Sequence, residues 1–200
     1  MGQVYPSIAL SLILAWLTAC TPAPDTQVIR MGLANAPLNL DPRYATDATS
    51  ERINRLLYQR LVVFDAQSMP VPGIAEWQRL SPIHYRFDLV QPTARFSNGA
   101  ALTAEDVTAT YRYVLDAQNA SPHRTALALI DRVETVSAAR VDFYLQRSDP
   151  LFPAYLVLDI LPADLIAAGH PFETRPMGSG AFRFIDRPEP GRLRLERRRD

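Results

Sequence analysis

Few residues of this chain have the type and spacing that acid–base, nucleophilic or metal chemistry requires. His84, His123 and His170 stand far apart, without paired spacing or an H-E-x-x-H motif, so the sequence predicts no metal site. The Gly-Ser-Gly tripeptide at 178–180 lacks the glycine pattern of a nucleophile elbow or of a dinucleotide-binding loop. We therefore expect no catalytic residue, no metal ligand, no cofactor and no enzymatic activity.

A pair of carboxylates acting as general acid and base is the remaining catalytic possibility. Asp41, Asp47 and Glu51 lie close together in the sequence. Asp41, however, precedes a proline, which keeps it out of the helical region, and Glu51 lies near a helix start, where the helix dipole favours a negative charge. Structural roles explain these positions, and an acid–base pair has no further support.

Cys20 is the single cysteine, and its sequence context predicts lipidation. It ends the tetrapeptide Leu-Thr-Ala-Cys directly after an apolar run at 8–17, an arrangement that resembles the lipobox of bacterial lipoproteins. The resemblance implies a signal peptide at 1–19 and a lipidated, Pro-rich tether at 20–27. Residues 1–5 contain no Lys or Arg, although export signals normally begin with positive charge, and a buried cysteine in an apolar helix remains the alternative.

The composition is that of an ordinary globular protein. Hydrophobic residues make up 48% of the 200 residues, which is enough to form a buried core. The 21 basic residues, all of them Arg, balance 21 acidic residues, so no overall charge favours nucleic acid as a partner. The 17 prolines against 8 glycines predict many stiff connections, as in an irregular α/β protein.

Hydrophobic periodicity predicts several helices and strands. Apolar residues recur at helical spacing from Ser50 to Leu61, with Arg52, Arg55 and Arg60 on the solvent side. The sequence also predicts a short helix at 162–169 and a tight backbone passage with two glycines at 178–180. Strands are predicted at 28–33, 61–64, 85–90, 133–136, 141–145 and 193–200.

The clearest local signals lie in the segment RFSNGAALTAEDVTATYRYV, which starts at position 95. Asn98-Gly99 predicts a tight turn, because both residues tolerate positive φ. Thr103 and Asp106 approximate a capping box at the start of a helix, and Leu102 and Val107 are spaced as a hydrophobic staple. All of these features stabilise a fold and none performs chemistry.

The chain resembles the family 5 solute-binding proteins of bacterial ABC importers, the oligopeptide, dipeptide and nickel-binding class. The resemblance covers about residues 28–198, and 96–107 is its most specific part. It rests on motifs in the expected order: Leu40-Asp41-Pro42, the helix to Leu61, the strand at 85–90, Phe96-Ser97-Asn98-Gly99, the LTAEDV block at 102–107 and the PMGSGAF block at 176–182.

The resemblance implies an α/β fold like that of type II periplasmic binding proteins, with a mixed-sheet lobe and an accessory α/β subdomain. Residues 28–44 and 170–200 would be segments of lobe I, and residues 45–169 its accessory subdomain. Because members of the family are much longer, the second lobe is expected to be absent from this chain, which would make it a fragment or a truncated product that binds solute poorly alone.

The implied function is capture of a peptide or a related small solute and its delivery to an ABC permease with its ATPase. The protein would act as a monomer at the periplasmic or extracytoplasmic face of the cell envelope, lipid-anchored at Cys20. A truncated, lipid-anchored structural or interaction module without transport is the first alternative. A secreted hydrolase is a further alternative, and a transcriptional regulator with the same domain would be incompatible with lipidation.

The resemblance also implies where solute would bind. Thr46, Asp47 and Ala48 follow the Leu-Asp-Pro motif and would lie on the wall of the cleft, although a plain surface loop remains equally open. Arg55 and Tyr58 are the second candidates, with a salt-bridged Arg and a core Tyr as their structural alternatives.

Overall fold

The structure is a computed structural model that describes residues 28–90 and 94–199. The predicted signal peptide, Cys20 and the tether lie outside the described residues. The described chain forms helices α1 (Ala48–Leu57), α2 (Ala104–Leu115) and α3 (Ala163–Ala167). Its strands are β1 (Val62–Phe64), β2 (Pro70–Pro72), β3 (Ala75–Ser81), β4 (His84–Leu89), β5 (Ile130–Ser137), β6 (Arg140–Leu145), β7 (Phe182–Glu189) and β8 (Arg192–Arg197). Among these residues, no helix is long and apolar enough to cross a membrane.

The largest sheet of the described residues is antiparallel and has four strands in the order β3-β4-β6-β5. The strands predicted at 133–136 and 141–145 are confirmed and pair as the hairpin of β5 and β6. The alternating strand at β4 is also confirmed, and its Tyr85, Phe87 and Leu89 are buried. Helix α2 packs on β5 and β6. Phe143 lies at the centre of this core, with ring centroids 5.3 Å from Phe87 and 5.1 Å from Tyr111. We call this the sheet core.

Helix α2 begins where its sequence signals place it. The capping box is present, and Asp106 Oδ2 accepts hydrogen bonds from the backbone N–H of Thr103 at 2.7 Å and from its hydroxyl at 3.0 Å. Asp106 Oδ1 accepts a further bond, at 2.7 Å, from the N–H of Ala163 in the first turn of α3. One carboxylate therefore caps one helix and anchors the start of another.

A second apolar cluster forms around α1 and the hairpin of β7 and β8. Its buried members include Ile53, Leu57 and Leu161, with Phe172 and the half-buried Phe184 from later in the chain. These residues come from both sides of the predicted boundary at position 170, so the division into lobe and accessory subdomain stays a prediction.

The predicted glycine passage at 178–180 runs directly against the backbone of α1. Gly180 N–H donates to the Leu57 carbonyl oxygen at 2.8 Å. A Cβ atom at Gly178 would overlap that carbonyl oxygen and would lie 2.5 Å from Cδ1 of Tyr58. Only glycine allows two backbones to come this close, which is the physical reason for the motif.

Three sequence expectations are wrong in detail. Residues 28–33 form no strand, and Ile29 is 92% exposed, because an apolar run becomes a strand only when a neighbour pairs with it. Helix α1 ends at Leu57 and not at Leu61. Arg60 consequently lies outside the helix, and its side chain is only 13% exposed, because it pairs with a buried carboxylate.

Candidate functional site

The segment that precedes α1 is held by a buried ion pair. Asp41 and Arg43 are joined by side-chain hydrogen bonds, the shortest of 2.6 Å, and their side chains are 7% and 8% exposed. The guanidinium of Arg43 also lies 4.0 Å from the ring centre of Tyr113 and 5.0 Å from that of Phe172. Burial opposes the charge of Arg43, but the hydrogen bond and charge of Asp41 outweigh it and raise the pKa of Arg43.

Hydrogen bonds from the 113–123 region hold the next residues. The Tyr44 hydroxyl donates to the Asn119 carbonyl at 2.8 Å and lies 3.0 Å from the Tyr113 hydroxyl; burial and that second bond raise the pKa of Tyr44 to about 12. The Ser121 hydroxyl donates to the carbonyl of Arg43 at 2.7 Å. His123 Nε2 lies 2.9 Å from the carbonyl of Ala45. These hydrogen bonds hold the backbone of residues 43–45, directly before position 46, against the 113–123 region.

Thr46, Asp47 and Ala48 lie at the start of α1, where the sequence places them in a loop. Thr46 and Ala48 are exposed. Asp47 instead caps the helix, since its Oδ1 accepts from the N–H groups of Thr49 at 3.1 Å and Ser50 at 2.9 Å. Burial acts to raise the pKa of Asp47, but the hydrogen bonds from Ser50 and its neighbours lower it overall. Its carboxylate is thus already engaged by the protein.

Arg55 and Tyr58 lie at the other end of the same helix. Ala48, Arg52 and Arg55 are exposed and follow the spacing of one helix face, and we call them the outer stripe of α1. At 1.5 Å per residue, Ala48 and Arg55 are about 10 Å apart along the axis. Tyr58 is buried, its hydroxyl donates to the Leu40 carbonyl at 3.2 Å, and burial raises its pKa well above the ordinary value. The two sets of predicted site residues, 46–48 and the pair Arg55 and Tyr58, therefore lie at opposite ends of α1 and do not share one pocket.

A cavity of about 470 Å³ opens at the C-terminal end of α1, and we call it the α1 cavity. Its lining combines two of the predicted residues with others that the sequence reasoning missed. The lining residues that matter below are Arg55, Gln59, Val63, Phe64, Ile74 and Val157. Gly73, which follows Pro70 and Pro72, is the one sequence signal of a tight backbone here, because a Cβ at that position would lie against the carbonyl of Arg60. The remaining walls come from distant parts of the chain.

An ionic cluster of Arg60, Asp159 and Glu51 lies beside this cavity, and Arg60 belongs to its lining. Arg60 Nε donates to Asp159 Oδ1 at 2.5 Å and one of its terminal nitrogens donates to Glu51 Oε2 at 3.0 Å. The Asp159 side chain is 1% exposed. Burial opposes the charge of Arg60, but hydrogen bonds and charge from Asp159 and then Glu51 raise the pKa of Arg60 above its ordinary value. Arg60 is therefore fully engaged by the two carboxylates.

The described residues contain no catalytic or metal-binding arrangement. No group of three or more metal-ligating side chains occurs among them. The histidines have structural partners: His84 lies 2.9 Å from Asp142, and His123 and His170 contact backbone carbonyls. Ser179 Oγ is buried without a hydrogen-bond partner in the described part of the chain, so no base activates it.

A sequence model of bacterial extracellular solute-binding proteins, family 5, middle region, matches residues 70–200. The chain belongs to this family, and it corresponds to an N-terminal portion of such proteins.

Individual relatives agree with this assignment. The periplasmic oligopeptide-binding protein OppA of Salmonella typhimurium is 27% identical over 104 residues, which are 52% of this chain and 19% of OppA. YgiS of Escherichia coli, a probable deoxycholate-binding periplasmic protein, is 31% identical over 138 residues, 67% of this chain and 26% of YgiS. The chain thus spans about a fifth to a quarter of these relatives.

Solved structures show the fold. The oligopeptide-binding protein AppA of Bacillus subtilis, in complex with a nonapeptide, superposes with a TM-score of 0.77 at 24% identity, over 84% of this chain and 35% of AppA. The fold is that of type II periplasmic binding proteins, as the sequence predicted, and this chain comprises part of it.

Proposed function

We propose that this chain forms one wall of the solute site of an extracytoplasmic binding protein, which captures peptides or a related small solute for an ABC permease and its ATPase. The family match over residues 70–200 carries the proposal. We propose further that residues 28–44 and 170–200 belong to lobe I and 45–169 to its accessory subdomain, and that the protein is a monomer lipid-anchored at Cys20 in the periplasm. Mass spectrometry of Cys20 in membrane fractions tests the anchor.

The outer stripe of α1 supplies the contacts in this proposal. Thr46, Ala48 and Arg55 face solvent, while the Asp41–Arg43 pair and the cap by Asp47 hold the helix in place. A preorganised wall keeps the entropy cost of binding low, because few groups must be ordered when solute arrives. Tyr58 contributes by positioning the backbone, through its bond to Leu40.

A single wall offers only part of the contacts of a closed two-lobed site, so we expect weak binding. A dissociation constant near 1 mM corresponds to about −4.1 kcal/mol. The test is a two-dimensional ¹H–¹⁵N NMR titration of the chain with an equimolar tripeptide library. The expected result is millimolar binding, with shifts concentrated at residues 46–48, 52 and 55.

The matched variants separate this site from unspecific association. Ala48→Trp, which covers the outer stripe, should abolish the shifts, whereas Ala128→Trp, at an exposed position in another region, should leave them unchanged. Absence of shifts on α1 at 10 times the expected constant would contradict the proposed function and favour a structural module. Micromolar binding would contradict the view that this chain is one wall of a larger site.

A further inference from the structure

The α1 cavity presents an apolar wall that is open to solvent. Val63 and Phe64 of β1 are 39% and 50% exposed, and Ile74 and Val157 are half-buried beside them. The volume of about 470 Å³ lies within the range of small-molecule sites. The wall therefore suits an aliphatic or aromatic group of one residue's size, which would remove these side chains from water.

The cavity also carries one cationic side chain that has no direct ion-pair partner among the described residues. Arg60 is held by Asp159 and Glu51, so its charge is balanced within the fold. The Arg55 side chain, by contrast, is exposed and makes no hydrogen bond or ion pair with the described residues, although its charge acts on the buried Asp159. A guanidinium in this state is a ready partner for a carboxylate, which it can bind through two parallel hydrogen bonds.

Gln59 requires that the ligand donate a hydrogen bond. Its Oε1 atom is buried and has no hydrogen-bond partner among the described residues. An amide oxygen can only accept, so the group that satisfies it must donate, as an N–H does. A buried acceptor without a donor destabilises the empty site, and a ligand removes that cost when the Gln59 side chain turns its Oε1 atom into the cavity.

We propose that the α1 cavity binds an N-acylated apolar amino acid with a free carboxylate, a unit found at the C-terminus of a peptide and in a free acyl amino acid. The carboxylate pairs with Arg55, the amide N–H donates to Gln59, and the side chain packs on Val63 and Phe64. This assignment rests on the proposed solute-binding function and specifies its substrate class.

The test compares N-acetyl-L-leucine with its amide in NMR titrations of the whole chain. The free acid should bind at least about tenfold more tightly than the amide, because a hydrogen bond to a charged group is worth more than one to a neutral group. Arg55→Gln should remove this preference, and Arg147→Gln, at an exposed position away from the cavity, should keep it. Gln59→Met should weaken the acid and the amide alike.

Further ligands test which chemical groups of the ligand the cavity recognises. N-acetylglycine should bind more weakly than N-acetyl-L-leucine, and acetate should produce no shifts at residues 59–64. Tighter binding of Gly-Gly-Leu than of N-acetyl-L-leucine identifies peptides as the source, and equal binding identifies acyl amino acids.

Equal affinity for acid and amide, or an unchanged preference in Arg55→Gln, would overturn the proposal. Library shifts on the outer stripe without a carboxylate preference would overturn this proposal alone. If no ligand shifts either region, both the inference and the proposed function fail.

Discussion

Polar side chains on the outer face of the four-stranded sheet, the face opposite the sheet core, find hydrogen-bond partners within the protein. Several polar side chains around α1 do not. On the sheet, Oδ2 of the buried Asp142 accepts a hydrogen bond from the guanidinium of Arg86 at 2.8 Å and lies 2.9 Å from Nε2 of His84. Around α1, Asn54 and Gln59 keep buried amide atoms without partners in the described chain, and the exposed Arg55 side chain makes no direct ion pair there. Within the sheet core, the buried Tyr111 hydroxyl lies near the backbone of Leu158 without a hydrogen bond of regular geometry. Polar groups that lack internal partners mark where a protein can still gain by binding, which separates scaffold from candidate site.

The largest expected effect comes from closing the passage behind α1. Gly178→Ala places a Cβ into the Leu57 carbonyl and the Tyr58 ring, and because backbone cannot move aside cheaply, we expect a loss of about 3 kcal/mol in the free energy of unfolding. Urea denaturation measures it. Gly32→Ala, where no heavy atom lies within 4 Å, is the control and should change little. Equal stability of the two variants would show that α1 does not rest on this passage.

Removing the central carboxylate of the sheet face should affect stability but not binding. Asp142→Asn removes the negative charge that Arg86 and His84 share and keeps only one acceptor oxygen for them, and we expect a loss of about 2 kcal/mol at pH 7. Unchanged tripeptide titrations would confirm that this face is scaffold. Glu76→Gln, exposed on β3, is the matched control. A loss of solute binding in Asp142→Asn would break the distinction between the two regions.

The same variant makes a prediction for pH dependence. The hydrogen bond from Arg86 is the main cause that lowers the pKa of Asp142 below 3.8, with burial opposing it and His84 assisting. A carboxyl with a lowered folded pKa contributes stability above its ordinary pKa and loses it as the pH falls through the folded value. Unfolding free energies measured from pH 7 to pH 2 should therefore converge for wild type and Asp142→Asn below about pH 4. A constant difference would contradict this cause.

The smallest effect should have the opposite sign. Asn54 is fully buried in α1, and neither Nδ2 nor Oδ1 has a partner in the described residues. Asn54→Leu removes the cost of burying an unsatisfied amide and adds a better helix former, so we expect a gain of about 1 kcal/mol in unfolding free energy. Asn54→Asp, which buries a charge instead, should destabilise the protein. Destabilisation by Leu would show that the amide has a partner in solution.

Sequence reasoning succeeded where a signal is local and failed where it is not. The turn, cap and staple around Thr103 predicted α2, and alternation predicted the strands β5 and β6. Strand β3 was missed, because its apolar residues do not alternate cleanly and its pairing with β4 decides its structure. Residues 46 to 48 lie at the start of α1, and their role in binding stays a prediction; the capping role of Asp47 depends on where the helix begins.

The sequence by itself determined the family, the start of α2 and the glycine passage, because caps, turns and bare backbone are encoded by neighbouring residues. Only the tertiary structure decided that Arg60 is buried and Arg55 exposed. Both looked like solvent-facing arginines of one helix, but Asp159, 99 residues further along the chain, captures Arg60. An ion pair depends on which groups the fold brings within a few ångströms, and no local spacing contains that information.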